Sequence, residues 1–212
     1  DRWTDPTYGE DMGHDLASSH FARAFAAGLD CAAGELSESD LDHLAEAYAA
    51  KVRRPFMNAC FAGNDYLTGR RNTNWLGHIS GSAVLSELAL ARRGREDRAA
   101  LALAKANVLR YLEFVNPDGS LPETGDYFYY GMELALLALH AWNLHFGEDL
   151  ITGFGRSSIR RAIDWALAFT DGGGFWADFG DCHRGWHEAS RVTGYLFARH
   201  FGSAGGQWLG DR

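Results

Sequence analysis

The 212-residue sequence has little cysteine and little proline, and its 20 basic residues fall short of its 28 acidic ones. Its three cysteines, Cys31, Cys60 and Cys182, form no CxxC pair, and their odd number excludes a complete disulfide framework, so buried free thiols are expected. Four prolines against 25 glycines, in a chain rich in Ala and Leu, predict apolar helices joined by glycine-rich structured loops. No apolar run reaches the roughly 18 residues of a membrane span, so no membrane insertion is expected. The first residue is Asp1 with no signal peptide after it, which points to a processed or excised piece. A net charge of −8 gives no long-range attraction for nucleic acid or an acidic membrane surface. An anionic ligand would need a local basic cluster. With 46% hydrophobic and 23% charged residues the chain is a globular domain, not a disordered one.

Hydrophobic periodicity reads as helix nearly throughout, giving an all-α fold. Helices are predicted from Asp15 to about Leu29, from an N-cap at Ser39 to about Val52, and from Leu76 to about Arg92. Others follow over Asp97 to Val115, around Met132 to Leu144, around Ile159 to Leu167, and from His187 to Phe201. Four glycine- and aromatic-rich loops precede helices: Asp1 to Gly13, Phe56 to Trp75, Asn116 to Tyr130 and Asp171 to Trp186. The unit of loop, apolar helix and amphipathic helix repeats roughly every 55 residues, as in an array of helical hairpins. Apolar helices inside and amphipathic ones outside would make an incomplete α/α toroid with all four loops at one rim. A rim both polar and aromatic suits a sugar chain, whose faces stack on rings while its hydroxyls seek partners.

Three segments carry candidate chemistry. Arg70, Arg71, Asn72, Asn74, Trp75 and His78 crowd into the stretch leading to the third helix, and guanidinium suits a carboxylate or sulfate. Asn74 as a helix cap and His78 as a core histidine are the competing structural readings. Asn116 to Gly131 holds a Pro117-Asp118-Gly119 turn, Glu123, Asp126 and the cluster Tyr127, Tyr129 and Tyr130. A Tyr beside cations is a candidate for proton transfer, and the three cannot all face one site. Gly172 to Glu188 contains Trp176, Asp178, Asp181, His183 and His187. His183 and His187 have a metal-ligand spacing, but Gly185 between them disfavours a helix, and no metal is assigned.

The order of the Gly28-Leu29-Asp30 run, Leu36-Ser37-Glu38, Asn74-Trp75, Pro117-Asp118-Gly119-Ser120 with Glu123, Tyr127 to Gly131, and Asp178-Phe179-Gly180-Asp181 resembles the heparinase II/III-like polysaccharide lyases. The likeness touches most of the chain. It differs in reading Asn72-Thr73-Asn74-Trp75, where the family pattern has adjacent asparagines. The resemblance implies an α/α toroid followed by a β-sandwich domain, which would bring any divalent metal, no cofactor being expected in the helical domain. It further implies a periplasmic or secreted setting and β-elimination on an acidic polysaccharide of glycosaminoglycan or alginate type. On this likeness Asn74 and His78 match the group that neutralises the uronate carboxylate, with Arg71 joining them, and Tyr130 or Tyr127 would handle the proton. Arg71, Asn72, Trp75, Glu123, Trp176 and Asp181 would bind substrate. Two other readings compete. One is a glycoside hydrolase using two carboxylates among Glu123, Asp126, Asp178 and Asp181. The other is a carbohydrate-binding or assembly module without catalysis.

Overall fold

A computed structural model describes residues 3–5, 14–32, 34–123, 125–153, 157–173, 175, 177 and 190–212. The described chain is all-α, and no sheet forms among these residues. Its helices are α1 (Leu16–Cys31), α2 (Glu38–Tyr48), α3 (Arg54–Phe61), α4 (Asn74–Ala91), α5 (Arg98–Leu112), α6 (Asp126–Phe146), α7 (Leu150–Gly153), α8 (Ser157–Ala168), α9 (Arg191–Phe201) and α10 (Ala204–Gly210). A π-helical segment, Ala49–Arg53, joins α2 to α3 without a break. None of the described helices is long and apolar enough to cross a membrane.

The helices α1, α4, α6 and α9 pack in succession, each running parallel to the next. Along α1 and α4, His20 meets His78, the Ser86 hydroxyl donates to the Ala22 carbonyl at 2.8 Å, and Asp30 pairs with Arg92. Along α6 and α9, Ser190 lies beside Glu133 and His140 beside His200. The connecting helices run the other way: Tyr111 near the end of α5 packs on Gly77, while Asp97 at its start donates its N–H to Glu87 far down α4. The N-terminal ends of α1, α4, α6 and α9 therefore share one end of the array.

Close approach of α4 and α6 depends on missing side chains. A Cβ at Gly81 would stand 2.5 Å from the Leu134 carbonyl oxygen, and one at Gly77 would stand 2.9 Å from the Gly131 carbonyl and closer still to the Tyr111 ring. With Ala83 and Ala135 also small, the two helices seal the core that Leu76, Ile79, Phe128, Met132 and Leu139 fill. Because α4 is surrounded by α1, α5 and α6, even Ser80, Ser82, Ser86 and Glu87 are buried. Glu87 is held there by the Arg53 guanidinium, in two hydrogen bonds of 2.7 and 2.8 Å.

Several boundaries differ from the sequence expectation. Ser37, not Ser39, caps α2: its hydroxyl accepts the Asp40 N–H and Asp40 reciprocates. Asp42, which would complete the alternative box, is engaged by Arg95 at 2.8 Å. The expected loop from Phe56 is helical through Phe61, because Phe56 and Ala59 bury one face of α3. The Tyr cluster forms the first turns of α6 and does not belong to the loop. Cys31 is exposed and Cys60 half-buried, so the expected burial fails at Cys31, while desolvation pushes the Cys60 thiol up to about 11. Cys182 lies outside the described residues.

Candidate functional site

The site forms where α1, α4 and α6 begin. The N-terminus of α4 is not capped by Thr73 at the N-cap position, whose side chain makes no capping hydrogen bond among the described residues. Glu123, from the loop before α6, supplies the cap: its Oε2 accepts the backbone N–H of Asn74 in a short hydrogen bond and the Asn74 Nδ2–H at 2.9 Å. A carboxylate there also complements the positive end of the helix dipole. Asn74 is thus the first helical residue rather than a cap. Its Oδ1 is buried and has no hydrogen-bond partner among the described residues.

One turn further along α4, His78 is fully buried and lies flat against Tyr130 of α6, ring centroids 3.9 Å apart and planes 4° from parallel. Its Nδ1 is 3.1 Å from the Tyr130 carbonyl, which can only accept, so Nδ1 carries the proton and Nε2 presents a lone pair. Nε2 also has no hydrogen-bond partner among the described residues. Burial pushes the His78 pKa down to about 3, with His20 and Arg23 adding to the effect and the Tyr130 carbonyl opposing it. The ring is therefore neutral at ordinary pH. His20 of α1 completes the cluster, its Nε2 2.6 Å from the Tyr130 hydroxyl and its ring edge-on to His78 at 5.0 Å. Partial burial and the Arg23 charge lower the His20 pKa, against a raising contribution from Asp15. His20, His78 and Tyr130 are each the fifth residue of their helices, which run parallel and so place them at one level.

The basic segment before α4 divides in two. Arg71 is exposed, donates to the Tyr66 hydroxyl at 2.8 Å and lies over the Tyr66 ring at 4.9 Å; that ring in turn packs on Trp75 at 4.7 Å. Among the described residues Arg70 makes an exposed contact of 3.5 Å with Asp65, and Asn72 is exposed. Tyr130 stacks its ring on His78 and meets His20 through its hydroxyl. Tyr129 is buried, its phenol pushed well above the ordinary range by desolvation, and packs edge-on to Phe128. Tyr127 is half-buried in the first turn of α6. Trp176 and Asp181 lie outside the described residues, as do Asp178, His183, His187 and Glu188. Among the described residues no group of three or more His, Cys, Asp or Glu is arranged to hold a metal ion.

Sequence reasoning missed His20, Arg23 and Tyr66. Reading α1 by its apolar stripe passes over the polar residues of Ser18-Ser19-His20. The available signal was positional, since His20 stands as far into its helix as His78 and Tyr130 do into theirs. A cavity of about 500 Å³ lined by Leu101, Trp142, His145 and Phe146 lies elsewhere, toward the other end of α6. His145 is 15 residues past Tyr130, roughly 22 Å along the helix, so this cavity has no part in the site. No protein-family model matches the chain, and no curated protein matches it.

Proposed function

We propose that the chain is the helical domain of a polysaccharide lyase of the heparinase II/III-like kind, acting by β-elimination on a uronate-containing polysaccharide. In that reaction the proton on C5 of the uronate leaves, a C4–C5 double bond forms, and the bond from C4 to the glycosidic oxygen breaks. The departing oxygen takes up a proton. A tyrosine at the scissile bond can serve both transfers, taking the C5 proton as phenolate and passing it to the oxygen.

The observation that carries this reading is the cluster of His20, Tyr130 and His78 beside Asn74, built at the shared end of parallel helices. Tyr130 has an imidazole in reach of its hydroxyl to receive or return a proton. It is also the residue to which the family resemblance points. Asn74 and His78 flank it with acceptor atoms for sugar hydroxyls, and the Trp75–Tyr66–Arg71 stack offers a surface for a neighbouring sugar ring. The parallel row of α1, α4, α6 and α9, with antiparallel helices outside it, supports the toroid arrangement. Of the four carboxylates open to the hydrolase alternative, Glu123 is committed to capping α4.

Incubation with alginate, heparan sulfate and hyaluronan tests the proposal. A rise in ultraviolet absorbance from an unsaturated uronate product is expected with at least one. Saturated reducing ends without that chromophore would assign hydrolysis instead.

A further inference from the structure

At the rim, α4 carries two acceptors without partners among the described residues, and no cation. The His78 Nε2 lone pair and Asn74 Oδ1 are buried without hydrogen-bond partners among the described residues, and one amide hydrogen of Asn74 is given to Glu123. These two acceptors match hydroxyl groups, and the second amide hydrogen of Asn74 is a neutral donor that does not balance the charge of a carboxylate. The acidic sugar therefore needs a cation from another element.

Arg71 is the cation the sequence motif offers, but it is tied to Tyr66 through both a hydrogen bond and its position over the ring. Arg23 of α1 is placed differently. It lies one turn beyond His20 and its charge bears on both His20 and His78. Its side chain is 44% exposed, and its one described partner is Glu133, at 3.5 Å. Glu133 does not depend on it, because its other oxygen accepts the Ser190 hydroxyl at 2.6 Å. Arg23 can thus turn to a ligand while Glu133 keeps a partner.

We propose that Arg23 is the carboxylate receptor of the site, holding the uronate while Asn74 Oδ1 and His78 Nε2 accept from the hydroxyls of the same sugar. Recognition is then divided by charge between α1 and α4. This assignment rests on the reading of the rim as a uronate site, and it puts Arg23 in the place where the sequence motif alone suggests Arg71.

The test is calorimetry with acidic tetrasaccharides of alginate and glycosaminoglycan type and with their carboxyl-reduced counterparts. The chain carries Tyr130→Phe throughout so that bound sugar is not consumed. The acidic form should bind about tenfold or more tighter than the reduced form. Arg23→Gln should abolish that preference, Arg23→Lys should restore part of it, and Arg71→Gln should leave it in place. Circular dichroism of each variant guards against a folding loss, which the exposure of Arg23 makes avoidable. If Arg23→Gln keeps the full preference for the acidic form, the assignment is wrong while the lyase reading stands. If no acidic tetrasaccharide binds the parent chain, both are overturned.

Discussion

The hydroxyl of Tyr130 and the Nε2 of His20 stand 2.6 Å apart, joining the first turns of α6 to those of α1 in front of the buried His78. With its pKa lowered, His20 is predominantly neutral near pH 7, and its Nδ1-protonated tautomer presents Nε2 to the phenol as a proton acceptor. Replacing His20 by Ala should lower kcat for polysaccharide cleavage by about tenfold to a hundredfold with KM little changed. His20→Gln, which can still accept from the phenol but cannot carry its proton, should recover only the part due to orientation. Steady-state kinetics of the two variants would separate these contributions, and equal, full activity in both would remove His20 from the mechanism.

Acid should destabilise the fold through two buried imidazoles. His14 and His78 are both fully buried and held down to about 3 by desolvation, against an ordinary 6.5. Between these values the unfolded chain binds protons at both rings that the folded chain does not. Stability is therefore fully present above pH 6.5 and is lost as pH falls toward 3, by about 1.4 kcal/mol per pH unit for each ring. Urea unfolding at pH 7 and at pH 5.5 should show this fall. His14→Gln should roughly halve the dependence, and a parallel profile would contradict the account.

The packing of α4 on α6 makes its own prediction. Gly81→Ala would drive a methyl group into the Leu134 backbone, and neither helix can yield without opening the core around Met132 and Ile79. The cost should be about 1–3 kcal/mol, read from chemical denaturation. The same change at Gly94, where a Cβ would meet nothing within 4 Å, tests a different cause. Its φ of +66° alone would cost stability there.

The helical class and most helix centres were legible because the apolar spacing along Leu76 to Ala91 and Ile159 to Ala166 leaves few alternatives. Ends were less so. Ser37 and Ser39 have equivalent spacing to an acidic residue, and Arg95, just past the C-terminal end of α4, engages Asp42 while Asp40 completes the box with Ser37. The last short helix, Ala204–Gly210, escaped notice because Gly205 and Gly206 argue against helix locally; Gly206 packs on the Gly194 carbonyl instead. At the site, Asn74, His78 and the Tyr cluster were visible as motifs. The choice of Tyr130 over its neighbours, and the entry of His20, required the relative level of three separate helices. No local pattern encodes that level.

Tyr130 is proposed to move the proton in a β-elimination. The most direct measurement compares Tyr130→Phe with Tyr127→Phe for formation of the unsaturated uronate chromophore on whichever acidic polysaccharide the parent protein cleaves. Loss of the phenol at position 130 should reduce the rate by at least about a hundredfold, while the change at 127 leaves the rate within a few-fold. Undiminished chromophore formation by the Tyr130→Phe protein would contradict the account.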